Sequence, residues 1–134
     1  MIPLSILHLA LLLPVEPVKA LRDVQGEWFL YQTADEHRTD RGDPAVRMAI
    51  KGTTVTLSLK SRPPLTTNTG TLALGTAGEL KTVDMKLGNG QSVCGVYLVA
   101  ADTLVFCVDD GGRDRPRSLV PTGRQWSEMW KRAR

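Results

Sequence analysis

Two short apolar runs, V-C-G-V-Y-L-V and L-V-F-C-V, flank the turn A-A-D-T within residues 93–108 and constrain the fold more than any other stretch. Runs this short, rich in β-branched and aromatic residues and separated by a tight turn, read as an antiparallel hairpin. Each carries one of the chain's two cysteines. Folded back, Cys94 and Cys107 share a face, either directly opposed or one diagonal step apart. That placement admits a cross-strand disulfide, worth about 3 kcal/mol at most for so short a loop. It equally admits two reduced thiols buried as small apolar groups.

Residues 2–13 are apolar apart from Ser5 and His8, and Val18 and Ala20 set small residues three and one positions before a cut after Ala20. This reads as a secretory signal peptide over residues 1–20, although no Lys or Arg precedes the apolar run. The alternative is a buried first strand or helix. The run is too short for a spanning helix, which needs about 20 apolar residues. Residues 21–134 then form one domain with one core, in an extracytoplasmic compartment, periplasmic or secreted. Oxidants there make a disulfide chemically sensible.

Strand signals continue on both sides of the hairpin. Residues 27–32 (E-W-F-L-Y-Q) follow Gly26. Residues 46–50 lead through Lys51-Gly52 into a run where Val55, Leu57 and Leu59 alternate with polar residues, the period of a half-buried strand. Pro63-Pro64 stops that run, and a short strand is expected near residues 71–74. In residues 80–87, Val83, Met85 and Leu87 alternate with Thr82, Asp84 and Lys86. Asn89-Gly90 follows, a two-residue hairpin signal. Pairing across it predicts Met85 near Cys94 and Val83 near Val96. Val83, Met85, Leu87, Cys94, Val96, Leu98, Val105 and Cys107 then share one face, the expected barrel interior. Tyr97, Val99, Leu104, Phe106 and Val108 lie opposite and also need cover.

For that cover the sequence offers a short C-terminal helix. Thr122 and Gln125 have capping-box spacing, and Trp126, Met129, Trp130 and Ala133 fall at i, i+3, i+4 and i+7. The fold class is therefore all-β: an antiparallel barrel of about eight strands with a short C-terminal helix, closed to hide its edges.

Several residues, in order, resemble a known family. Gly26 and Trp28 have the Gly-x-Trp form that opens lipocalin-like (calycin-type) barrels. With Asp84, Gly95, Tyr97, Asp102, Leu104, Cys107, Arg115 and Pro116 they resemble a family of small exported lipocalin-like domains abundant in planctomycete bacteria. The likeness covers most of residues 21–134. Where members often carry Gly-Asp at the last tight turn, this chain has Ala101-Asp102, leaving the turn type open. The resemblance implies a barrel whose end is closed by Trp28, with an arginine, Arg115 or Arg117, laid over its ring. It brings no catalytic residues to carry over.

Catalytic and metal-binding patterns are sparse. Beyond residue 20 His37 is the one histidine, and the cysteines lack Cys-x-x-Cys spacing, so no metal site is expected. A Cys–His nucleophile pair is disfavoured because thiols inside apolar strands are inert. Asp109, Asp110 and Asp114 lack the alternating ligands of a calcium loop. The charged residues 35–43 read as a solvated connection, with a lid over the barrel as the sharper alternative. Between Arg113 and Arg134 stand seven basic residues against Asp114 and Glu128. Aromatic residues do not interleave with the early basic positions, so no nucleic-acid partner is expected.

The expected role is an exported, non-enzymatic lipocalin-like domain. It would need no cofactor, keep no stable membrane span after processing, and take a small hydrophobic ligand against Val83, Met85, Val96, Leu98 and Val105. The alternative is an interaction module for a protein or an anionic surface, using the basic, tryptophan-containing C-terminal segment.

Overall fold

The computed structural model describes residues 16–60, 65–110 and 113–134. Most of the expected leader lies outside these residues. Residues 16–20 belong to a helix, α1 (Glu16–Asp23), which runs past the expected cut. Proline is tolerated in the first turn of a helix, and Arg22 sits favourably in the last. The side-chain amide of Gln25 donates to the Leu21 carbonyl at 2.9 Å. The same side chain exchanges two bonds with Gly52, accepting at 2.7 Å and donating at 2.9 Å. One residue thus satisfies a helix-end carbonyl and ties the helix to the turn after the third strand.

Among the described residues nine strands follow: β1 (Gly26–Ala34), β2 (Thr39–Arg41), β3 (Val46–Lys51), β4 (Thr54–Leu59), β5 (Leu65–Ala77), β6 (Leu80–Leu87), β7 (Ser92–Ala100), β8 (Thr103–Asp110) and β9 (Gln125–Arg132). All pairings are antiparallel. β1 pairs with both β3 and β9, so β1 and β3–β9 close into an eight-stranded barrel. β2 pairs only with the far half of β1 and stands outside the ring. A bulge at Tyr31, between Leu30 and Gln32, lets β1 change neighbours. Gly42 lets the chain pass against it: a Cβ there would lie 2.6 Å from the Leu30 carbonyl oxygen. The charged residues 35–43 form this exposed β1–β2 hairpin. The Asp35 carboxylate accepts from the backbone N–H groups of His37 and Arg38, which hold its pKa below the usual value.

The C-terminal helix expected from sequence is instead strand β9, which closes the barrel between β8 and β1. Its true period is two: Trp126, Glu128 and Trp130 pair with Val108, Phe106 and Leu104 and face inward. A charged residue in the middle of that face disguised it. Thr122 and Gln125 do meet as a capping box would, the Thr122 N–H donating to Gln125 Oε1 at 3.1 Å, but within a turn entering a strand. β5 is also far longer than the short strand expected at residues 71–74.

The β6–β7 register differs from expectation by one residue. Leu87 N–H bonds the Gln91 carbonyl at 2.9 Å, so the loop holds Gly88, Asn89 and Gly90, with Gly90 at φ 86°. A three-residue loop of this kind replaces the two-residue Asn-Gly turn. Val83 therefore faces Gly95, and Met85 faces Val93. A one-residue slip exchanges the two faces of a strand. The inward residues of β7 and β8 are Val93, Gly95, Tyr97, Val99, Leu104, Phe106 and Val108. Cys94, Val96, Leu98, Val105 and Cys107 point outward, which corrects the expected lining. The sequence could not separate these faces because segment 113–124 returns across the outer one, so much of both is buried. Arg115 holds that return: its guanidinium donates to the Gly95 carbonyl at 2.8 Å and the Val83 carbonyl at 3.2 Å, and pairs with Asp84 at 2.7 Å.

Candidate ligand site

One end of the barrel is shut. Trp28 is fully buried there, its indole N–H donating to the Val24 carbonyl at 3.0 Å. Arg132, from β9, lies over the ring at 4.2 Å from its centre. The same guanidinium donates to the carbonyls of Gln25 at 2.7 Å and Asp23 at 3.3 Å. The cover expected from Arg115 or Arg117 is thus supplied by Arg132: Arg115 clamps the β6–β7 backbone, and Arg117 is exposed beside a polar surface cleft of about 510 Å³. Gly26 is required by this closure. Its φ is 120°, and a Cβ would stand 2.9 Å from Arg132 Nη1. Val24, Met48, Ile50, Val55, Leu72, Val83, Leu104 and Phe106 fill the space above Trp28 and are all buried.

The inward residues nearer the other end are less covered. Leu30, Val46, Leu57, Met85, Val93 and Trp126 pack against the core yet remain half-buried. They come from six strands and form an apolar mouth. Polar groups also hang within the barrel, among them Tyr97 and Glu128. Tyr97 is only 4% exposed, and its hydroxyl has no hydrogen-bond partner among the described residues. Burial raises its pKa, with a smaller push from Asp23. Glu128 sits between two inward tryptophans on its own strand. Its two carboxyl oxygens each accept one indole N–H, from Trp126 and Trp130, both at 3.3 Å. Burial raises the Glu128 pKa, and the two indole donors only partly oppose it. Among the described residues no Lys, Arg or His forms an ion pair with this carboxyl.

Of the residues expected to line a ligand space, Val83 lies in the buried core and Met85 at the mouth. Val96 is buried on the outer face, Val105 is half-buried there, and Leu98 is 48% exposed. Trp126, Glu128, Trp130, Val93 and Tyr97 were missed as lining; a carboxylate flanked by tryptophans at i±2 was the signal for the first three. Trp126 and Trp130 face the interior, leaving no tryptophan-bearing helix for an interaction surface.

Cys94 and Cys107 are free thiols one diagonal step apart, Cys94 opposite Asp109 and Cys107 opposite Val96. Burial pushes both thiols above their ordinary pKa, the opposite of what a nucleophile needs. His37 is 83% exposed on the β1–β2 hairpin, with Glu36 at 3.5 Å. No helix among the described residues is long and apolar enough to cross a membrane. Comparisons with protein-family models, with curated proteins and with solved structures return no match to this chain.

Proposed function

We propose that this chain is an exported, non-enzymatic lipocalin-like barrel that binds a small, largely apolar molecule through its open mouth. The observation that carries this reading is the half-buried inward lining of Leu30, Val46, Leu57, Met85, Val93 and Trp126 beside a buried core. Apolar side chains that face inward yet keep contact with solvent gain about 25 cal/mol per Å² when a ligand covers them. A binding site of this kind is apolar with a few placed polar groups, and Tyr97 and Glu128 supply those. The closed end supports a rigid container: an indole plug, a stacked guanidinium and α1 fix one end.

Titration with the neutral dye N-phenyl-1-naphthylamine tests this. Saturable binding with a rise in dye emission is expected, and Val93→Trp, which fills the mouth, should weaken it by about tenfold or more. Absence of saturable binding, or binding indifferent to Val93→Trp in a folded variant, overturns the reading.

A further inference from the structure

The Glu128 carboxyl is an acidic group on the described inward face, and no described cation pairs with it. Trp126 and Trp130 each give it one neutral N–H at 3.3 Å. A carboxylate has about four acceptor positions, so two donors leave it under-satisfied. Glu128 is half-buried, a charge drawn away from water is normally paired, and no cation of the described chain pairs with this one. Phe106 stands directly across from it on β8. Two indole edges thus meet the carboxyl, and an aromatic residue holds the facing position on the neighbouring strand. From there the apolar lining leads to the mouth.

We propose that the ligand carries an organic ammonium group, seated against the Glu128 carboxylate between Trp126 and Trp130, with its apolar body along Leu30, Met85 and Val93. This rests on the barrel being a binding module. An ammonium supplies up to three donors to the unused lone pairs and the missing counter-charge at once. A neutral apolar ligand would cover the lining yet leave the carboxyl unpaired. The class is therefore an amphipathic amine of modest length.

Calorimetric titration of the full chain with n-octylammonium and with n-octanol tests the assignment. The two probes share a tail and differ in charge. Octylammonium is expected to bind about tenfold or more tightly than octanol, and Glu128→Gln, which keeps shape and an acceptor oxygen, should abolish that preference while leaving octanol binding in place. Octanol binding as tightly as octylammonium to the unaltered chain overturns the ammonium assignment and leaves the binding barrel standing. A Glu128→Gln variant that retains the preference also overturns it. If neither probe binds the unaltered chain, the ammonium assignment and the proposed function both fall. The comparison on the unaltered chain needs no variant to fold.

Discussion

Arg132 and Trp28 close the barrel together, the guanidinium stacked 4.2 Å from the ring centre while its N–H groups bond the Gln25 and Asp23 carbonyls. Stacking contributes about 0.5–2 kcal/mol, and each carbonyl left without its donor costs about 1 kcal/mol or more. Arg132→Ala is therefore expected to lose roughly 2–4 kcal/mol in urea unfolding at an unchanged slope. Arg132→Lys should recover only a minor part, because an ammonium cannot stack and fork at once. Equal stability of the two variants would contradict this account. The Asp102 contacts of Arg132 are half-exposed and add little.

Ala101 is the described non-glycine residue with positive φ, at 52°. It occupies the first loop position of the two-residue β7–β8 hairpin, where Ala100 pairs with Thr103. Such turns favour Asn or Gly because a Cβ costs about 1 kcal/mol in the left-handed region. Ala101→Gly should therefore stabilise the chain by roughly 0.5–1 kcal/mol in the same assay. A neutral or destabilising result would mean that the turn relaxes this strain elsewhere.

The strands that read most clearly in the sequence were those with one wet face. β4 and β6 show Val55-Leu57-Leu59 and Val83-Met85-Leu87 in plain alternation, and both form where that pattern predicts. β7 and β8 were legible as strands but not as to face, because segment 113–124 buries Val96 and Cys107 behind them. One added loop residue at Gly88 then decided the register, a difference no alternation rule resolves. β9 was illegible for a chemical reason. Glu128 is a charge on an inward face, where two indole N–H groups bond it. The same contact that hid the strand marks the candidate site, so the sequence failed at the place where function is proposed. Reading β9 as a helix also hid Arg132 as the closing arginine, which was expected at Arg115 or Arg117.

Cys94 and Cys107 lie in the outer face of β7 and β8 beneath segment 113–124, with burial raising both thiols. Thiolate, not thiol, reacts with alkylating agents. At neutral pH both cysteines should resist iodoacetamide in the folded protein and react fully in denaturant, as read by intact-mass spectrometry. Rapid labelling of either in the folded state would show that the covering segment opens readily.

Glu128 makes stability depend on pH in an unusual direction for a carboxyl. Burial raises its folded pKa above the ordinary 4.5, so the folded state holds the proton more tightly than the unfolded chain. Below about pH 4.5 both states are protonated and no penalty exists. As pH climbs from there to the raised folded value, the folded state binds more protons than the unfolded one, and its stability falls. Above that value both are ionised and the loss is complete and constant. Asp35 works oppositely, its lowered pKa favouring the folded state as pH rises, but it cancels in a comparison of variants. Glu128→Gln should therefore gain stability relative to the parent, by an amount that grows through this window and then levels. Urea unfolding of both proteins from pH 4 to pH 8 measures the difference, and a difference independent of pH would refute the buried-charge account. Saturating n-octylammonium should shrink the parent's decline, because a counter-charge at the carboxylate removes the reason for it. n-Octanol, which covers the same lining without a charge, should leave the slope as it was.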